Sequence, residues 1–390
     1  MRHLPALLLA AALAACAPSA KAPPASTSAA PLPSGAAGPV TGWDKGGMVA
    51  AADPRAVEAG LEILRQGGNA IDAAIAVHAV LGLVEPQSSG IGGGGFLVYY
   101  DYATDKVTVF DGRETAPAAA TAELFVKDGQ VMDFVSAWQS GRSVGVPGQV
   151  ALYKAAHEFG GQADWASLFQ PAIQLAADGF EVSPRLAEVL AEPRLRGAIR
   201  LDDNPETAAY FYPDGDPLPA GFLRTNPAYA ATLAAIAEEG PVAFYTGGIA
   251  ADIVAATAEG PDGGALTLGD LENYKVVQRE AVCGELKSHY RICSAPPPSS
   301  GGVAQNLILG LYDYLKPAGA DETRKLKAFV DAQRLGYADR DHYVADADHV
   351  FVPTAELIDP AYIKARAKEA FAPDGKSFPG DPGIVLGKEP

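Results

Sequence analysis

"EPQSSGIGGGGFLVYY", residues 85–100, places five glycines within positions 90–95. Gly90, Gly92 and Gly95 also satisfy G-x-G-x-x-G, the spacing of a dinucleotide-binding loop. Such a loop follows a strand and opens a helix, whose N-terminus offers its dipole and free N–H groups to the pyrophosphate. Here the order is reversed. Residues 69–84 carry Ala73, Ala74, Val77, Val80 and Leu81 at helical spacing, so they predict a helix before the glycines. Residues 96–100, aromatic and β-branched, predict a strand after them. No Gly-Lys-Ser/Thr follows, so the stretch does not read as a P-loop either. It reads as a helix-to-strand connection whose backbone passes close to something else, in packing or beside a substrate crevice.

The 390 residues suffice for one large domain or two ordinary ones, and at 48% hydrophobic and 20% charged they can bury a core. Asp plus Glu number 47 against 30 Lys plus Arg, a formal charge of −17. That balance disfavours nucleic acid and anionic membrane surfaces as partners.

The N-terminus reads as an export signal. Met1-Arg2-His3 is a short positive start, and residues 4–12 form an apolar run too short to span a bilayer. The run ends in Leu13-Ala14-Ala15-Cys16, which resembles the lipobox of bacterial lipoproteins, where the thiol is lipidated and becomes the mature N-terminus. The alternative is an ordinary signal peptide with an incidental cysteine. Residues 1–15 are thus expected to be a lipoprotein-type signal peptide. Residues 16–42, from the lipidated Cys16 through an Ala/Pro/Ser-rich stretch, are expected to be a membrane tether that cannot form a core. The expected location is the periplasmic side of a membrane.

Cys283 and Cys293 lie in "VCGELKSHYRIC", a segment that predicts a hairpin with its tip near residues 287–289. A turn centred on Ser288 sets the two cysteines opposite one another. In an oxidising compartment this predicts a cross-strand disulfide, with two free thiols as the alternative. Metal binding is disfavoured, since His289 is the only nearby partner and no Cys-x-x-Cys exists.

From residue 43 onward no internal repeat is evident, and helical and strand patterns alternate. Asp53-Pro54 reads as a helix cap and first turn, Gly67-Gly68 as its stop, and Asn69 as the next cap. A strand at 106–111 follows the one at 96–100 closely enough for a hairpin. Helices are expected over 150–158, 165–177, 228–238, 249–258, 305–315, 323–343 and 360–370. The pattern is α/β or α+β, with helices around antiparallel strands. Residues 372–390, with four prolines and four glycines, are expected to be an exposed, irregular tail.

Few residues announce chemistry. The six histidines, 3, 78, 157, 289, 342 and 349, form no metal-spaced cluster, and His78 on an apolar helix reads as a satisfied core residue. No G-x-S-x-G elbow occurs. Ser88-Ser89 and Ser299-Ser300 read as turn formers. Arg113, in "DGRETAP", stands just past a strand end, where binding residues are commonly presented. Its guanidinium can grip a carboxylate with two parallel hydrogen bonds, or it can form a structural salt bridge with Asp111, Glu114 or a more distant acid.

Taken together, "GGNAIDAAIAVHAVLGLVEPQSSGIGGGGFLVYY", "FDGRETAP", "SVGVPG" and "APPPSSGG" resemble the γ-glutamyltransferases, or glutathione hydrolases. Weaker echoes are "PAIQLAADGFEVSP", "FYTGGIAADIV", "LTLGDLENY" and "YADRDHYVADADHVFVP"; the likeness runs collinearly over about residues 43–365.

The resemblance implies an α/β (αββα) N-terminal-nucleophile hydrolase sandwich, here in its large-chain portion over residues 43–371, with the 372–390 tail before the cleavage site. It implies a precursor that cuts itself, and a small chain whose new N-terminal threonine attacks a γ-glutamyl amide with its own amine as base. Glutathione and other γ-glutamyl compounds would be donors, and water, amino acids or peptides the acceptors. No cofactor is implied. Arg113 matches the family arginine that binds the donor's α-carboxylate. No Thr-Thr-His or Thr-Ser-His occurs in the chain, so the catalytic nucleophile is expected in a small chain absent from this sequence. The alternatives are a related acylase of the cephalosporin acylase type, or a truncated, inactive scaffold.

Overall fold

The computed structural model describes residues 47–260, 262–369 and 375–387. The expected signal peptide, Cys16 and the tether lie outside the described residues. Helix α1 (Pro54–Arg65) opens on Asp53, whose side chain accepts from the Arg55 amide, with proline in the first turn. Gly67, at φ +95°, ends it. Helix α2 (Ala70–Val84) follows with a reciprocal capping box between Asn69 and Asp72. Its small and branched side chains, Ile71, Ala73, Ile75, Ala76, Ala79, Val80 and Leu83, are buried on nearly all sides, which makes α2 the central core helix. Asp72 is buried there as well, and it accepts from the Gln162 and Ala163 amides at 3.0 and 3.1 Å.

Strands β1 (Gly95–Asp101) and β2 (Lys106–Gly112) form an antiparallel hairpin in register from Gly95 opposite Gly112 to Asp101 opposite Lys106. The chain then runs through α3 (Gln149–Gly160), α4 (Gln170–Asp178), α5 (Pro227–Glu239) and α6 (Gly247–Ala258). With α1 and α2 these helices enclose the main core, in which Ile75, Val150, Tyr153, Phe169, Leu233 and Ile236 are buried. Helix α3 packs on β1 and β2, and Phe159 meets Tyr99 and Phe110 edge to face. Strand β3 (Val277–Glu280) pairs with β2, setting Arg279 opposite Val109. The helices before β3 thus fix the sheet whose β2 end carries Arg113.

Hairpin β4 (Val282–Glu285) and β5 (Arg291–Ser294) sets Cys283 opposite Cys293, and the two are joined as a disulfide. Helices α7 (Gly301–Leu315), α8 (Glu322–Tyr343) and α9 (Pro360–Arg366) build a second core on Val303, Leu307, Leu311, Leu335 and Tyr362.

Three expectations need correction. The helix over 165–177 is a 3₁₀ turn, Trp165–Phe169, followed by α4, because Pro171 sits in the first turn of α4, where its missing N–H costs nothing. Residues 184–211, given no element from the sequence, form three short helices, Pro184–Ala191, Pro193–Ile199 and Pro205–Phe211. Each has proline in its first turn and is capped by the side chain of Ser183, Glu192 or Asn204.

The third correction concerns the tail. Residues 375–387 are not an exposed, irregular segment throughout, since Gly380 and Pro382 are buried and α10 (Pro382–Leu386) forms there. The cause is a buried ion pair. Arg366 and Asp339 are 1% and 0% exposed and meet at 3.0 Å. Buried charges need every lone pair and N–H satisfied, and the tail supplies partners. The Gly380 amide donates to Asp339 at 2.8 Å, and Arg366 donates to the Phe378 carbonyl. Tyr362 also donates to Asp339 at 2.8 Å, and Tyr343 donates to the Gly380 carbonyl at 2.6 Å.

Removing one member strands the other charge. Arg366→Met is expected to cost about 3–5 kcal/mol of stability and to open residues 375–387 to protease. Urea unfolding and limited proteolysis read the two effects. A variant with parental midpoint and parental cleavage would show that the pair does not hold this segment.

Candidate substrate site around Arg113

Arg113 is the first residue beyond β2, and its backbone is held from several sides. Asp111, 6% exposed, turns inward. One carboxylate oxygen accepts from the Arg279 Nε at 2.7 Å and the other from the Arg113 amide at 3.0 Å. Arg279 also grips Asp348 with two hydrogen bonds of 2.9 and 2.5 Å, which raises the guanidinium pKa and holds the exposed Asp348 carboxyl below its ordinary value. The Arg113 carbonyl accepts from the Tyr274 hydroxyl at 2.7 Å.

The Arg113 side chain is exposed, and its Nη1 donates to the Pro298 carbonyl at 3.2 Å. Among the described residues no carboxylate pairs with it. The alternative of a salt bridge to Asp111 or Glu114 is therefore not the arrangement present, because Arg279 occupies Asp111. A guanidinium carries five N–H donors in a planar fork, and most of this one is uncommitted.

The glycines explain how the backbone gets there. A Cβ at Gly94 would lie 2.4 Å from the Gly112 carbonyl oxygen and 2.9 Å from the Glu114 amide nitrogen. At Gly148 it would lie 2.2 Å from that same oxygen, and at Gly145 2.9 Å from Glu114 Cβ. None of the glycines at 90–95 has positive φ, so what Gly94 supplies is room rather than conformational freedom. By contrast, nothing lies within 4 Å of a Cβ built at Gly90 or Gly92. The Gly93 carbonyl accepts from the Gly148 and Gln149 amides at 2.9 and 3.0 Å, and the Val146 amide donates to Thr115 at 2.8 Å.

The four stretches singled out in the sequence, 67–100, 110–117, 143–148 and 295–302, thus converge on Arg113. A cleft of about 470 Å³ opens beside it, lined by Gly92, Glu114, Phe125, Arg142 and Val144 among others. A wider cleft of about 600 Å³ shares no lining residue with it, and Arg55 there is committed to Asp53 and the Glu181 carbonyl.

Sequence reasoning passed over Arg279, which lies in none of the quoted motifs. Tyr274 and Asp348 sit inside the weaker echoes "LTLGDLENY" and "YADRDHYVADADHVFVP", which gave family likeness but no role. His78 is a half-buried residue of α2 with both ring nitrogens engaged, to the Tyr153 hydroxyl and, at 3.1 Å, to Ser89. Burial lowers its pKa to about 4, so the ring is neutral near neutral pH. Ser299 takes the turn-former role, accepting from the Gly301 amide at 3.2 Å. Among the described residues no group of three or more His, Cys, Asp or Glu could hold a metal.

A family model described as gamma-glutamyltranspeptidase matches residues 56–377. The chain is 37% identical over 327 residues to the glutathione hydrolase proenzyme of Bacillus subtilis (strain 168), a match covering 83% of this chain and 54% of that protein. Among solved structures it is similar to Helicobacter pylori gamma-glutamyltranspeptidase, with a TM-score of 0.78 and 34% identity over 86% of this chain and 95% of that one. Cephalosporin acylase from Bacillus halodurans matches with a TM-score of 0.73 and 27% identity over 84% and 60% of the two chains. The chain spans about half the length of the curated relatives it matches.

The glycine contacts give a paired test. Gly94→Ala forces backbone apart at Gly112 and Glu114 and is expected to cost about 1–3 kcal/mol, whereas Gly90→Ala, with open space, should stay within about 0.5 kcal/mol of the parent. Denaturant unfolding of both reads the difference. Equal stability of the two variants would show that the 94–112 contact is not tight.

Proposed function

The chain belongs to the γ-glutamyltranspeptidase family, and on that premise we propose that it is the large chain of an exported γ-glutamyltransferase acting on glutathione and other γ-glutamyl compounds. Its architecture is the α/β fold of the N-terminal-nucleophile hydrolases it resembles in structure. The large-chain reading is supported by two lengths. The match covers 95% of a solved gamma-glutamyltranspeptidase chain but 54% of a proenzyme, which suits one chain of a precursor cut in two.

The chemistry on this reading is shared between chains. A threonine at the N-terminus of the small chain attacks the γ-glutamyl carbonyl, and its own amine takes the hydroxyl proton and returns it to the departing amine. Water or an acceptor amine then releases the acyl group. This chain contributes recognition. Arg113 binds the donor's α-carboxylate, which fixes the glutamyl carbon skeleton relative to the nucleophile. The observation that carries the reading is the exposed guanidinium, with no acid partner among the described residues, on a backbone fixed by Asp111, Tyr274 and the glycine contacts.

A second reading, an acylase of the cephalosporin acylase type, draws on the structural likeness to that enzyme. An arginine placed for an α-carboxylate favours the γ-glutamyl donor. Parallel assays on γ-glutamyl-p-nitroanilide and glutaryl amides separate the two.

Export and anchoring rest on the Leu-Ala-Ala-Cys ending of a short apolar run and the Ala/Pro/Ser-rich stretch after it. Among the described residues no helix is long and apolar enough to cross a membrane. Attachment through the lipidated Cys16 is part of the proposal. Cys16→Ser should move the protein from the membrane fraction to the soluble fraction or block its maturation. A Ser variant that fractionates with membranes as the parent does would remove the lipoprotein reading.

The donor site is tested at Arg113 with the small chain present. Arg113→Ala should lower donor kcat/KM by roughly 10- to 150-fold, the loss of a charge-assisted hydrogen bond contributing about 1.5–3 kcal/mol. Arg113→Lys should fall between, keeping charge without the planar fork. Self-cleavage should survive, because no glutamyl carboxylate takes part in it. A fully processed Arg113→Ala enzyme with parental donor kinetics would return Arg113 to a structural role.

A further inference from the structure

The loop beneath Arg113 is tied down by a chain of polar contacts that the catalytic scheme does not use. Ser89 begins the loop, and its backbone amide, like that of Ser88, donates to the Glu85 carbonyl at the end of α2. Its hydroxyl meets His78 Nε2 at 3.1 Å, and His78 Nδ1 meets the Tyr153 hydroxyl on α3. The Tyr153 ring is buried and also stands edge to face with the His78 ring. Gln149, one turn before Tyr153 on α3, donates its backbone amide to the Gly93 carbonyl at 3.0 Å. Helix α3 thus meets the loop at two points, through Tyr153 and His78 at Ser89 and through the Gln149 amide at Gly93.

Between those two points the loop has little else to hold it. Ile91 is buried as an apolar anchor, and Gly90 and Gly92 contribute no side chain. A cavity of about 340 Å³ lies between α2, α3 and β1, lined by His78, Gly94, Gly95, Gln149 and Tyr153 among others.

We propose that His78 is a positioning residue for Arg113: by bridging Ser89 and Tyr153 it fixes the glycine loop against the Gly112–Glu114 backbone from which Arg113 projects. A neutral imidazole suits this role because it accepts at one nitrogen and donates at the other. The Tyr153 and Ser89 hydroxyls can each donate or accept, so either neutral tautomer bridges them, with one ring nitrogen donating and the other accepting. An aromatic or aliphatic side chain in place of His78 would fill the volume and leave the Tyr153 hydroxyl without this partner.

The proposal rests on the reading of Arg113 as the donor's carboxylate site, and its test keeps the two apart. Ser89→Ala removes the outer contact without disturbing the core. In the processed two-chain enzyme it should raise the KM for γ-glutamyl-p-nitroanilide about 2- to 10-fold, the size of one net hydrogen bond, at near-parental kcat. Hydrogen exchange at the Gly148 and Gln149 amides, which are bonded to Gly93, should quicken. His78→Asn keeps an acceptor near the Nδ1 position and loses the Ser89 contact, so it should match Ser89→Ala and add nothing to it in the double variant. His78→Gln, which reaches toward Ser89, should recover part of the loss.

Parental KM in the Ser89→Ala enzyme overturns the positioning role, whether or not exchange quickens. So does a KM rise of equal size in an Arg113→Ala background, since the loop would then act on something other than Arg113. Parental donor kinetics in the Arg113→Ala enzyme alone would overturn the site reading and this proposal with it, and that single variant tells the two failures apart.

Discussion

Two backbones touch at Gly94 and Gly112, and the rest of the site is arranged around that contact. Gly94 precedes β1 and Gly112 ends β2, with no room for a Cβ at Gly94. Gly148 closes on the same carbonyl from the start of α3. Three segments far apart in sequence are thereby brought within van der Waals distance at main-chain level. A contact of this kind is stiffer than one between side chains, because it has no rotamers through which to relax. Arg113 follows directly, so the backbone from which its side chain projects is set by the sheet and the core behind it.

Electrostatics complete what the packing begins. Asp111 could have neutralised Arg113 but is claimed by Arg279, which Asp348 claims from the other side. Each acid and base in that row has a fixed partner, and Arg113 is left with a backbone carbonyl. A second charge network does different work in the other core. Asp339 and Arg366 bury a pair of charges and draw in the chain from Phe378 to Gly380 to satisfy them.

Much of this was legible in the sequence. The order helix, glycines, strand was enough to reject a nucleotide loop, because a phosphate site needs a helix N-terminus after the glycines. Residues 96–100 and 106–111 read as a hairpin, since alternating β-branched and aromatic residues flank a short polar connection. The X-Pro helix starts over 184–211 were also written in the chain but were lost among charged and small residues. The docked tail was not legible, because a run of glycine and proline reports local flexibility and says nothing of a buried arginine waiting for carbonyls. Arg279 was not legible either. A strand arginine has no signature of its own, and its importance comes from register opposite Val109, which places it beside Asp111. At Arg113 the residues alone left a salt bridge and a carboxylate grip both open. The family likeness favoured the grip, and in the structure Arg279 holds Asp111, one of the acids a salt bridge would need.

The central claim is that Arg113 recognises the α-carboxylate of a γ-glutamyl donor, and the most direct measurement deletes that carboxylate from the donor. In the two-chain enzyme, kcat/KM for γ-glutamyl-p-nitroanilide is compared with that for its decarboxylated analogue, the p-nitroanilide of 4-aminobutyrate, in the parent and in Arg113→Ala. The parent should strongly prefer the donor with the carboxylate, and Arg113→Ala should lose most of that preference while using the decarboxylated donor about as well as the parent does. A preference of the same size in both enzymes would mean that some other group reads the carboxylate, and would contradict the assignment of Arg113.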